Sequence, residues 1–200
     1  MYTSKHAKYN TQNIISKFLV HRFTAALQTL ILRHAHGRIL DIGSGEGMVL
    51  GGISEKLQPA TNQIVISDLD YKEVIDAQRN IHTSSPVVSN IKQLPFENDT
   101  FDLVICTEVL EHIDDYGAAM REIARVSKNV FIISVPREPL WRFLNMVRLS
   151  YLRDWGNTPG HLNHWSKRAI STEIAKYARV LDVISVLPWT IVVGTINRDS

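Results

Sequence analysis

Arg38-Ile39-Leu40-Asp41-Ile42-Gly43-Ser44-Gly45-Glu46-Gly47 is the stretch that decides the fold of this 200-residue chain. A short apolar run carries one acid and then opens into three glycines at alternate positions. The pattern predicts a buried strand over 38–42 that runs into a tight, cofactor-cradling turn and a helix. Glycine is required in such a turn because the backbone takes positive φ and a ligand approaches it closely. Dinucleotide-binding turns are spaced G-x-G-x-x-G. Here the spacing is G-x-G-x-G, and Met48 stands where the third dinucleotide glycine belongs, which argues against a nicotinamide-dependent dehydrogenase.

Outward from this turn, helices and strands alternate. Ile15, Leu19, Phe23, Ala26 and Leu30 fall at helical spacing and predict a helix over about 11–35, with His36-Gly37 ending it. A helix is expected over 46–57, with Val49, Ile53 and Leu57 on one face and Gly51-Gly52 marking close packing. Strands are expected at 63–67, 86–89, 101–106 and 129–135, with helices at 71–81 and from Asp114-Asp115 to Ser127. The tail differs. After a helix over 165–177, the runs 179–187 and 190–196 are joined by Pro188-Trp189, and only antiparallel strands can be joined so tightly. The expected fold class is therefore α/β, with five parallel strands, an antiparallel C-terminal hairpin and helices on both faces.

The glycine turn with Asp41 resembles motif I of the class I S-adenosylmethionine-dependent methyltransferases, in particular their type 11-like members. The segment VVSNIKQLPFENDTFDLVICTEVLEHI is similar to the signature of that family's third and fourth strands. The resemblance implies a Rossmann-like seven-stranded sheet of order 3-2-1-4-5-7-6. It implies S-adenosyl-L-methionine as cofactor and S-adenosyl-L-homocysteine as product, with the methyl group passing to an acceptor by in-line displacement at the sulfonium.

Cofactor contacts are expected from Asp41, Gly43, Ser44, Gly45, Asp68, Leu69, Asn90, Ile91, Thr107 and Glu108. In an open α/β sheet, ligands bind beyond the carboxyl ends of the strands, and Asp68 ends the second strand. A carboxylate there accepts hydrogen bonds from two ribose hydroxyls; Asp70 is its rival. Asn90 stands where the family usually has Asp, facing the adenine amino group, and its carbonyl oxygen retains an acceptor; a plain turn role is the other reading. Ile91 is expected to flank the ring. Thr107 or Glu108 is expected at the methionine end.

The chain lacks the Asn/Asp-Pro-Pro-aromatic motif of base-methylating relatives after the fourth strand, and carries Leu110-Glu111-His112 instead. This resembles relatives that act on small molecules. His112 is a candidate general base, because an imidazole titrates near neutrality; its alternative is fixing the loop. His161 and His164, in a Gly/Pro-rich loop, are candidate acceptor-side catalytic residues. Their spacing suggests a metal, but no cysteine or acid cluster accompanies them in sequence, and no metal is expected.

The domain organisation expected is one methyltransferase domain over 1–200, with an N-terminal helical cap (1–36) and an acceptor-side insertion (137–165). Leu140, Leu144, Val147 and Tyr151 share a helical face in that insertion, interleaved with Arg137, Arg142, Arg148 and Arg153. From 137 to 179, eight Lys/Arg face three Asp/Glu. Peripheral membrane contact through 137–155 is therefore an expectation, with a solvated lid as its alternative. A net charge of +2 gives no global drive toward nucleic acid, and no nucleic-acid partner is expected. One cysteine, Cys106, in an apolar run and no secretory-type start lead to an expected cytoplasmic setting. The expected acceptor is a small molecule, apolar or lipid-like. An RNA or protein acceptor, or a cofactor-binding protein without turnover, is the alternative.

Overall fold

A computed structural model describes residues 14–58, 60–141, 158 and 160–196. Seven strands form one sheet in the order β3-β2-β1-β4-β5-β7-β6. They are β1 (Gly37–Ile42), β2 (Thr61–Asp68), β3 (Ser84–Val88), β4 (Phe101–Thr107), β5 (Ser127–Pro136), β6 (Arg179–Val186) and β7 (Trp189–Thr195). The first five pair in parallel. β7 runs antiparallel between β5 and β6, and Val186 pairs with Trp189 across the Leu187-Pro188 turn. The seven-stranded order and the antiparallel hairpin expected from the sequence are both present.

Alternation along the strands divides the apolar residues between two layers. On one face, Leu40, Ile42, Val104, Phe131 and Val192 pack with Ala119, Met120 and Ile123 of helix α5 (Tyr116–Val126) and with Ile170 and Ile174 of α6 (Lys167–Ile174). On the other, Ile39, Ile66, Leu103, Ile105 and Ile132 meet Phe23, Leu27 and Ile31 of helix α1 (Ile14–His34) and Ala77 of α4 (Tyr71–Asn80). Asp115 caps α5 by accepting from the Ala118 amide at 2.9 Å, as the sequence suggests. Pro86 sits in β3, an edge strand, where a missing N–H is tolerated. Among the described residues no helix is long and apolar enough to cross a membrane.

One expected helix is broken. In place of a continuous 46–57 helix there are two single turns, α2 (Met48–Gly51) and α3 (Ser54–Leu57). The cause is the close packing that Gly51-Gly52 announces. A Cβ on Gly52 would lie 2.6 Å from Nε2 of Gln28, which donates to the Val49 carbonyl at 3.0 Å. Helix α1 therefore presses onto the segment where it would otherwise continue. Most of the amphipathic arginine-bearing helix expected in the insertion lies outside the described residues. Trp141, at its start, is buried and lies 5.4 Å from Trp189, ring centre to ring centre.

Candidate active site

The glycine turn is tied down where it leaves β1. The amides of Gly43 and Ser44 both donate to the Ser67 carbonyl, at 2.7 and 3.0 Å, so the turn hangs from the end of β2. Gly43, Gly45 and Gly47 all take positive φ, at 67°, 52° and 73°. Their surroundings differ. A Cβ on Gly43 would meet Val109 Cγ2 at 2.3 Å, and one on Gly47 would press on Ile81 and Ala77 at 3.0–3.1 Å. A Cβ on Gly45 would find nothing nearer than Glu73 Oε2 at 3.8 Å. Gly45 thus fronts open space while its two neighbours are packed. Beside it, the buried Ser44 hydroxyl has no hydrogen-bond partner among the described residues. An open glycine face and an unsatisfied buried hydroxyl suit a polar ligand lying against the backbone. The residues present therefore fit the adenosyl cofactor that the sequence implies.

Two carboxylates lie below and beside the turn. Asp41 is 3% exposed, and burial, reinforced by the Asp68 carboxylate, pushes its pKa up to about 7. Asp68, at the end of β2, accepts from the Gly45 amide and from the Asp70 amide, each at 3.1 Å. A carboxylate has roughly four acceptor positions, so Asp68 retains capacity for a diol. Asp70 is the N-cap of α4, accepting from the Lys72 amide at 2.9 Å. That capping role separates the two rivals. Leu69 is exposed beside Asp68, as a residue covering a ligand would be.

Asn90 takes the turn role that is its other reading from sequence, and Ile91 packs inward. The Asn90 side-chain oxygen accepts from the Lys92 amide at 2.9 Å, which is turn chemistry. Ile91 is 6% exposed and belongs to the core.

Thr107, the last residue of β4, is half-buried, and Glu108 after it takes φ 58°, a left-handed backbone for a non-glycine residue. The Glu108 carboxylate accepts from Ser134 Oγ at 3.2 Å and from Trp189 Nε1 at 2.8 Å. It braces β4 against the C-terminal hairpin, in addition to any ligand it meets. Phe23 of α1 stacks on Trp189 at 4.4 Å. Ser134 and Trp189 are not foreseen in sequence. The available signal is that a buried indole N–H needs an acceptor, and Glu108 is an acid beyond an apolar strand.

Two of the residues expected on the acceptor side, His112 and His161, meet at the 3-10 turn Leu110–His112. The loop that precedes α6 is stapled to it. The amides of Leu162 and Asn163 both donate to the Glu111 carbonyl, at 2.7 and 3.1 Å. The Asn163 side chain donates to the carbonyls of Leu110 and Ile113, at 3.1 and 2.6 Å. His112 Nδ1 donates to the Gly160 carbonyl at 2.9 Å. His161 is buried, its ring 4.9 Å from that of His112 and stacked over Trp141 at 6.4 Å. Glu111, 1% exposed, brings Oε1 to 3.9 Å from His112 Nε2. The structure thus unites His112 and His161, while His164 is exposed and outside this cluster. Sequence reasoning passes over Asn163, because its contacts join positions about fifty residues apart.

The sheet order and the glycine turn define a class I methyltransferase fold. Residues 40–132 match the family model described as a methyltransferase domain. A ubiquinone/menaquinone biosynthesis C-methyltransferase of Shewanella frigidimarina is 27% identical over 154 residues, covering 71% of this chain and 61% of that protein. The chain spans 19% to 64% of the length of such curated relatives. Magnesium protoporphyrin IX methyltransferase of Synechocystis PCC 6803, solved with bound S-adenosylhomocysteine, superposes with a TM-score of 0.71 at 16% identity, covering 96% of this chain and 92% of that one. A Haloferax volcanii putative methyltransferase, solved with the Trm112 activator, gives 0.71 at 16% identity, covering 98% and 99%. These two structures share the fold.

Proposed function

We propose that the chain transfers a methyl group from S-adenosylmethionine to a small, oxygen-bearing acceptor of apolar or lipid-like character. The observation that carries the donor half is the open face of Gly45 between the Ser44 hydroxyl and the Asp68 carboxylate. Asp68 would hold the ribose, Leu69 would cover the base, and Ser44 would meet the polar end of the cofactor. The bound cofactor supplies the electrophilic methyl group. The protein's part is to hold donor and acceptor in line and to exclude water.

The acceptor half is supported by position. The Leu110–His112 turn follows Val109, whose side chain fills the space over Gly43, so this turn and the donor turn are neighbours. The ionisable cluster there is where an acceptor hydroxyl would give up its proton. Curated relatives named for quinone biosynthesis support an apolar ring-bearing acceptor. So does the exposure of Ile14, Ile15 and Phe18 at the start of α1, an apolar surface suited to a greasy substrate or the membrane that holds it.

Replacement of Gly45 by Val tests the donor half. The Cβ has room in the folded protein but occupies the ligand's space, so calorimetric titration should show no binding of S-adenosylmethionine by a folded variant. Affinity equal to the parent's would sink the assignment. Native mass spectrometry of the protein as purified reads both halves, through a retained cofactor or product and a co-purified acceptor.

A further inference from the structure

The ligand atoms of Glu111, His112 and His161 lie within 4.8 Å of one another. We propose that these three residues bind one divalent transition-metal ion, pinning the acceptor-side loop to the turn after β4. Two imidazoles and a carboxylate are a ligand set that zinc and its first-row neighbours favour and that magnesium and calcium do not. Ligands around a tetrahedral zinc ion with bonds of about 2.0–2.1 Å stand about 3.3 Å apart. The three groups are thus about one side-chain adjustment from coordination geometry.

The supporting contacts favour the same reading. The Gly160 carbonyl can only accept, so His112 carries its proton on Nδ1. Nε2 faces the Glu111 carboxylate, 3.9 Å away. An imidazole nitrogen and a carboxylate oxygen so close together are both ligand types that a transition-metal ion takes. A backbone carbonyl on the far nitrogen is how metal-bound histidines are held. The sequence hides the site because its acid comes from the turn after β4 rather than from the His161–His164 loop. The pairing that spacing suggests is replaced by one that only folding creates. The loop is already stapled at Leu162 and Asn163, so His161 is delivered to the site with little freedom left to lose.

The site stands on side-chain placement alone, while its role rests on the methyl-transfer reading. There, an ion with three protein ligands keeps a position for an acceptor oxygen and eases loss of its proton to solvent.

The test uses the full chain stripped with a chelator and titrated with Co²⁺ by absorbance, then with Zn²⁺ in competition. One equivalent should bind with the intense visible bands of a low-coordinate ion, and Mg²⁺ should not displace it. Glu111→Gln, His112→Gln and His161→Gln should each weaken binding about tenfold or more, whereas His82→Ala, at an exposed histidine elsewhere, should not. In the unsubstituted protein labelled with ¹⁵N-histidine, Zn²⁺ should shift two imidazoles of the eight histidines. Absence of binding, equal affinity in all variants, or shifts spread over the other histidines would overturn the site. Titration with S-adenosylhomocysteine reports separately. Metal binding without cofactor binding would keep the site and remove the methyl-transfer reading, and cofactor binding without metal would do the reverse.

Discussion

Gly43→Ala should be among the costliest single-methyl additions in this protein, and the cost should be divisible. Gly43 holds φ 67°, and a Cβ there would stand 2.3 Å from Val109 Cγ2. The left-handed backbone costs an alanine roughly 1–2 kcal/mol. Forcing a methyl group into an occupied space costs roughly 1–3 kcal/mol more. The expected loss is therefore about 2–5 kcal/mol, a large part of a domain's stability. Val109→Ala removes the offending methyl and leaves its Cβ 3.5 Å from the new one, an ordinary contact. The backbone part should survive in the double variant and the steric part should vanish. Urea unfolding of the four proteins, followed by the fluorescence of the four tryptophans, measures this. The cycle should return a coupling energy of about 1–3 kcal/mol favouring the double variant. A Gly43→Ala loss below about 0.5 kcal/mol, or single effects that add within that margin, would refute the reasoning.

Asp68→Ala should weaken S-adenosylmethionine binding by about 1.5–3 kcal/mol in calorimetry, the range for hydrogen bonds to a charged group, and Asp70→Ala should mainly cost stability as a lost helix cap of about 1 kcal/mol; the reverse pattern would exchange their roles. Asp41, with its folded pKa raised from 3.8 to about 7, contributes stability that is full below about pH 4 and is lost as pH rises through about 7. Relative to Asp41→Asn, the parent should lose up to about 4 kcal/mol across that window, and parallel urea midpoints would count against it. Arg125 donates to the carbonyls of Leu94 and Phe96 and to Glu122. Lysine cannot reproduce that fork, so Arg125→Lys should cost about 1.5–3 kcal/mol, read as a lower unfolding midpoint.

The sheet was legible because its information is local. Apolar runs ended by the Gly43 turn and by Asp68, and a tight turn marked by Pro188, specify strands and their direction without knowledge of the rest. The donor turn was legible for the same reason, since positive φ has few residues that tolerate it. The broken helix was not, because Gln28 reaches it from α1, twenty-one residues away from the Val49 carbonyl it meets. Asn90 and Ile91 carry the family's spacing, but the Lys92 amide and the core compete for them. The acceptor side was least legible. His112 and His161 were each visible as ionisable residues in loops, yet Glu111, Asn163 and Trp189 acquire meaning only from partners about fifty to eighty positions distant.

The staple between the Leu110–His112 turn and the loop before α6 has an evolutionary consequence. Two of its bonds run from main-chain amides to a main-chain carbonyl, and the rest depend on the asparagine at 163 and the imidazole at 112. Backbone contacts do not depend on side-chain identity. A lineage that kept those few anchors would be free to exchange the side chains at positions such as Leu162 and His164, which face solvent. On the proposed methyl-transfer reading, the loop could then be fitted to new acceptors one substitution at a time, with the glycine turn and the sheet left untouched.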